Sequence, residues 1–182
     1  GKDVSVALDS FPGTNSWSNL DEAKEVSEIV LALARDGVKP QQIGVMAPFR
    51  GQVVQIRRLL RDVSLGQVNV GTIEDYQAVE YDVIVLSLTR STTKFVEFDI
   101  KRRAGVFGQP KRSNVALTRP EHLLVIVGNP NVMVNCSIWR QILWFFLRNG
   151  LWHGESGSKG CAGLELTDEL VYSTTGTGDV VD

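Results

Sequence analysis

The stretch Val70-Gly71-Thr72-Ile73-Glu74-Asp75-Tyr76-Gln77-Ala78-Val79-Glu80-Tyr81-Asp82-Val83-Ile84-Val85-Leu86-Ser87-Leu88 joins a short apolar segment to a nearly unbroken apolar run through a polar turn. The run at 83–88 does not alternate, as expected of a strand covered on both faces in a parallel sheet. Working outward, residues 43–47 form a second apolar run ended by Pro48, and residues 123–127 a third. Between them lie segments of helical period. Residues 20–35 place Leu20, Ala23, Val26, Ile29, Val30 and Leu33 on one stripe, with Asn19 and Glu22 as a capping box and Gly37 as a stop. Residues 51–63 place Val53, Ile56, Leu59, Leu60 and Val63 on one side and Arg57, Arg58 and Arg61 on the other. Pro110 opens a short helix through Thr118, and residues 138–147 form an aromatic-rich one.

Strands and helices alternate with short connections. That pattern predicts an α/β fold, a mostly parallel sheet with helices on both faces. Residues 4–8 read as a first strand and 10–18 as a loop; 91–109 read as a long polar segment carrying Lys101, Arg102 and Arg103. The organisation expected is one domain over 1–153, followed by a flexible tail over 154–182 rich in Gly, Ser, Thr and acidic residues. The strand-like opening is expected of a piece of a longer polypeptide.

Composition excludes several classes. Hydrophobic residues are 43% and charged residues 22%, ordinary for a globular chain. Net charge is −2, so any nucleic-acid contact must be local. Two cysteines, Cys136 and Cys161, and two distant histidines, His122 and His153, support neither a disulfide framework nor a zinc site, and no metal ligands are assigned. Apolar runs are too short to span a bilayer, and no membrane partner is expected. No G-x-x-x-x-G-K-[ST] occurs, nor a G-x-G-x-x-G after a strand.

In open parallel sheets, working residues gather beyond the carboxyl ends of strands. Two segments that follow strands, and a third that ends in Arg119 just before the last strand, could carry chemistry. Gly71-Thr72 could offer backbone N–H groups and a hydroxyl to a phosphate, or Thr72 could be an N-cap. Gln77 and Glu80 could hydrogen-bond a nucleotide or lie on a solvated face. Arg119 could stabilise charge on a transferring phosphoryl group or simply complement a helix end. The aromatic set Trp139, Trp144, Phe145 and Phe146 reads as core packing before it reads as a base-stacking platform.

Together these segments carry a resemblance. Residues 70–80 and the strand after them resemble helicase motif V of the Upf1-like superfamily 1 group. Ser113-Asn114-Val115-Ala116-Leu117-Thr118-Arg119, then residues 123–127 and Gly128-Asn129-Pro130, resemble motif VI. Gly44-Val45-Met46-Ala47-Pro48-Phe49-Arg50-Gly51-Gln52 resembles motif IV. The resemblance covers residues 4–150, and the insertion ending Phe107-Gly108-Gln109-Pro110-Lys111-Arg112 is most similar to the Armitage/Mov-type branch of RNA silencing.

The resemblance implies the second RecA-like motor domain of an ATP-dependent RNA helicase moving 5′ to 3′, cytoplasmic, with RNA-silencing proteins as possible partners. ATP and Mg²⁺ would be bound mainly by a first motor domain that supplies the Walker motifs. Arg119 would reach the γ-phosphate, Glu80 would hold the ribose, and Gln77 would lie near the same cleft. Thr72 would contact single-stranded RNA, with Pro48, Phe49, Arg50 and Gln52 on the strand-binding face and Arg112 as a further phosphate contact. Arg90 resembles an arginine of the family but receives no role. Alone, the chain would have no ATPase activity. Two alternatives stay open: a DNA helicase domain of the same superfamily, and a catalytically dead, helicase-like binding module. The second draws on Ala78, which stands where the family has glycine. Pro120 and Glu121 also replace the family's Ala-Lys.

Overall fold

A computed structural model describes residues 4–7 and 15–153. The segment read as a flexible tail, and Cys161 within it, lie outside the described residues. A four-stranded parallel sheet has the order β4–β3–β5–β6, with β3 at Ile43–Ala47, β4 at Asn69–Thr72, β5 at Tyr81–Ser87 and β6 at Pro120–Val127. Parity along the strands sorts side chains into two cores. Ile43, Val45, Ala47, Val70, Val83 and Val85 pack against Ala23, Val26 and Val30 of α1 (Leu20–Arg35) and Val53, Ile56 and Leu60 of α2 (Arg50–Asp62). Met46, Ile84 and Leu86 face the other way, onto Ala116 of α4 (Pro110–Thr118) and Trp139 and Leu143 of α6 (Ser137–Arg148). Helices thus cover both faces, as the unbroken apolar run of β5 predicts.

Several details depart from the sequence reading. Residues 15–18 are a strand, not a loop: β2 (Asn15–Ser18) pairs antiparallel with β1 (Val4–Ala7), and this ribbon stands apart from the parallel sheet. Its Asn and Ser composition shows no apolar alternation, so it reads as loop until its pairing with β1 is seen. The segment 91–109 contains a further helix, α3 (Val96–Arg102), which turns Val96 and Asp99 inward. A short α5 (Pro130–Met133) was also unforeseen. Leu20 is 48% exposed and Val63 38%, so each helix stripe is one residue shorter than its periodicity suggests. Of the aromatic set, Trp139 is fully buried but Phe145 is 58% exposed.

Tyr76 ties the sheet to the segment after β4. Its hydroxyl accepts from Val45 N (3.0 Å) and lies 2.8 Å from Asn69 O, spanning two neighbouring strands. A side chain at Gly44 would strike the Tyr76 ring, with Cε1 at 2.8 Å. Burial raises the Tyr76 hydroxyl pKa well above the ordinary phenol range, so it stays protonated.

Candidate functional site

Parallel strands force each connection to leave at the carboxyl edge of the sheet and re-enter at the amino edge. The candidate residues divide between these edges. Thr72 ends β4, and residues 48–50 follow β3, at the carboxyl edge. Glu80 precedes β5 and Arg119 precedes β6, at the amino edge, where Tyr81 N donates to Arg119 O (3.2 Å) and Tyr81 pairs with Pro120. The candidate residues are therefore split between the two edges, with Arg119 on the amino edge just before the last strand. Helix α4 precedes β6, so its last residues reach the opposite edge. Pro120, as the first residue of an edge strand, removes no N–H that the sheet needs.

At the carboxyl edge, of Pro48, Phe49, Arg50 and Gln52 only Arg50 is exposed. Gln52 is fully buried: its Oε1 accepts from Asn19 N (2.7 Å), and its Nε2 donates to Asn19 O (3.1 Å) and Ser87 Oγ (3.1 Å). Gln52 therefore pins the start of α1 to α2 and β5, and does not face a ligand. The expected capping box is half-formed for the same reason. Asn19 Oδ1 accepts from Glu22 N (3.2 Å), but Asn19 N is taken by Gln52. The Glu22 carboxylate instead accepts from Ser87 Oγ and Thr89 N, both at 2.7 Å. A buried carboxylate needs such donors.

Thr72 donates its hydroxyl proton to Asp75 Oδ2 (2.9 Å), and its N–H donates to the same oxygen (2.7 Å). The hydroxyl keeps acceptor capacity; donating to a phosphate would require it to leave Asp75. Arg112 pairs with Glu74 and donates to Gly105 O (2.9 Å), which fixes α4 against the segment after β4. Its guanidinium remains about a quarter exposed.

At the amino edge, Gln77 and Glu80 are exposed. The Arg119 guanidinium lies 3.6 Å from Glu80 Oε1, beyond hydrogen-bonding range, and its NH2 reaches Thr118 Oγ1 at 3.2 Å. Arg119 Nε is buried without a partner. An arginine that keeps donors in reserve beside an exposed carboxylate suits an oxyanion and a hydroxyl-bearing group side by side. Close by, Asp82, Glu121 and His122 offer ligand atoms within 4.8 Å of one another. Glu121 and His122 are exposed and Asp82 already accepts from Gln42 Nε2, so nothing beyond their proximity points to an ion.

Ala78, between Gln77 and Glu80, has φ +64°, a left-handed conformation that favours glycine. Ala78→Gly is expected to raise stability by about 1 kcal/mol, read as a higher urea midpoint at unchanged slope. A lower midpoint would show that the turn carries no strain.

Sequence reasoning missed the job of Arg90 and the existence of its partner. Arg90 is fully buried in a two-pronged pair with Asp99 of α3, both contacts at 2.6 Å. Its guanidinium lies over Trp17 (4.1 Å), Phe49 (4.9 Å) and Phe95 (5.3 Å). One cation thus gathers β2, the loop after β3 and the segment before α3. Arg57 is a second case: from the side of α2 opposite its apolar stripe, it donates from Nε to Val70 O (2.9 Å) on edge strand β4.

With this geometry in hand, comparisons with known proteins agree on one group. The family described as "AAA domain" matches residues 4–131. RNA helicase Mov10l1 of Mus musculus is 40% identical over 142 residues, covering 76% of this chain and 12% of that protein. Probable RNA helicase armi of Drosophila melanogaster is 32% identical over 139 residues, covering 76% and 12%. ATP-dependent helicase NAM7 of Saccharomyces cerevisiae is 34% identical over 142 residues, covering 74% and 14%. The chain therefore spans only 12–14% of the length of these relatives.

Proposed function

Because the chain belongs to the AAA-domain family, in its Upf1-like superfamily 1 helicase group with similarity to Mov- and Armitage-type proteins, we propose that it is the second RecA-like motor domain of an ATP-dependent RNA helicase. The observation that carries this reading is Arg119. Its guanidinium lies at the amino edge of the sheet 3.6 Å from Glu80, and its NH2 donates to Thr118 Oγ1 at 3.2 Å. Closure of a first motor domain bearing ATP and Mg²⁺ against this edge would bring Arg119 to the γ-phosphate and Glu80 to the ribose. The opposite edge, with Thr72 and Arg50, would hold single-stranded RNA. Closure then links nucleotide state to grip on the strand. Cytoplasmic residence and association with RNA-silencing proteins belong to the same proposal.

The test is strand separation by the full-length protein on RNA duplexes with either a 5′ or a 3′ overhang. ATP-dependent unwinding from the 5′ overhang is expected, with DNA duplexes opened more slowly. Unwinding of DNA alone would transfer the reading to a DNA helicase. Absence of ATP-dependent unwinding on every substrate would leave a helicase-like binding module. The chain by itself is expected to turn over no ATP, since it contains no Walker A sequence.

A further inference from the structure

Residues 92–112 hold six basic side chains, Lys94, Lys101, Arg102, Arg103, Lys111 and Arg112, against two acidic ones, in a chain of net charge −2. One of the acids, Asp99, is buried on Arg90, which leaves Glu97 as the only exposed counter-charge within this segment. Helix α3 turns Val96 and Asp99 inward and presents Phe98, Ile100, Lys101 and Arg102 to solvent. Phe98 is 43% exposed, and the Arg102 guanidinium lies 4.6 Å from its ring centre. Lys101, Arg102, Arg103 and Lys111 form no ion pair among the described residues.

Arg103 adds an independent sign. It ends α3 with φ +52°, a left-handed position where glycine is the usual occupant. An arginine kept in a strained position invites a reason beyond folding. The segment also has a defined place. It leaves the carboxyl end of β5, the edge that bears Thr72 and Arg50. Arg112 joins Gly105 O, just beyond Arg103, to Glu74, just beyond Thr72. An apolar protein partner would meet too many cations here, and a purely solvated face would not leave an aromatic ring exposed among them. A single nucleic-acid strand matches both halves of the surface, because its phosphates meet the cations and its bases meet the ring.

We infer that α3 and its flanks form a second contact for single-stranded RNA, continuing the path from Arg50 and Thr72. Phe98 stacks on a base, and Lys101, Arg102 and Arg103 neutralise neighbouring phosphates. The inference rests on the RNA-motor reading above. The test uses the full-length protein and a labelled oligouridine, with affinity measured across a salt series. Replacing Lys101, Arg102 and Arg103 by glutamine is expected to flatten the salt dependence by about two in log–log slope, at about 0.7 per phosphate. Phe98→Ala is expected to weaken binding about ten-fold with the slope unchanged, and Phe98→Tyr to restore it. Arg103→Gly separates binding from folding: it should raise the melting temperature while weakening RNA binding. Variants that match the parent protein in affinity and slope overturn this contact alone, and leave the patch to an acidic protein surface. A parent protein that binds no RNA at low salt overturns the contact and the motor reading together.

Discussion

Arg119→Ala in the full-length protein is expected to lower ATP turnover about 10³-fold or more while RNA affinity stays within a few-fold. The size follows from what the guanidinium has to offer. It is planar and permanently charged, its backbone is seated by the end of α4 and by the Tyr81–Pro120 pairing, and its NH1 stands 3.6 Å from Glu80, beyond hydrogen-bonding range. Thr118 and the more distant Glu80 carboxylate hold it loosely, so little is lost when a phosphoryl oxygen takes their place. Arg119→Lys should recover little, because a single ammonium cannot reproduce the two-pronged contact. The measurement is steady-state turnover at saturating RNA beside RNA affinity without nucleotide. Turnover unchanged in the alanine variant would sink the finger role. A parallel collapse of RNA affinity would instead place Arg119 on the strand-binding side, against the division of the two sheet edges.

That division shows what the amino-acid sequence could and could not disclose. The parallel strands were legible because apolar runs such as 83–88 have few other uses, and the ends of α1 because Asn19 and Gly37 punctuate it. The start of α4 was legible in Pro110. Gln52 was not. A glutamine in the first turn of a helix looks available to a ligand, and its burial depends on a backbone partner 33 residues away. Helix α3 was illegible for a related reason. It has only two inward positions, one of them an aspartate, so it shows no apolar stripe until Arg90 is placed opposite. The edge on which Arg119 lies was legible, because a residue that directly precedes a strand enters a parallel sheet at its amino edge.

The Arg90–Asp99 pair carries the largest stability prediction. Both side chains are wholly excluded from solvent, so removing Asp99 takes from the buried Arg90 guanidinium the carboxylate that meets it in two contacts. Asp99→Ala is therefore expected to cost about 3–5 kcal/mol. In a chain of this length that is a fall in melting temperature on the order of 10 °C. The cost belongs to keeping a charge buried without its carboxylate more than to the lost attraction, and a double variant tests this. Arg90→Met with Asp99→Leu removes both charges and keeps apolar bulk among Trp17, Phe49 and Phe95, so it should melt closer to the parent than either single variant. The pair also anchors the α3 segment, whose Gly105 carbonyl receives Arg112 of α4. Asp99→Ala should then loosen the amino-terminal turn of α4, read as faster amide exchange at residues 111–114, while the β3–β5 ladder keeps its protection. Melting within about 1 kcal/mol of the parent would mean that the aromatic rings alone hold Arg90, and that α3 is seated by Val96 rather than by charge.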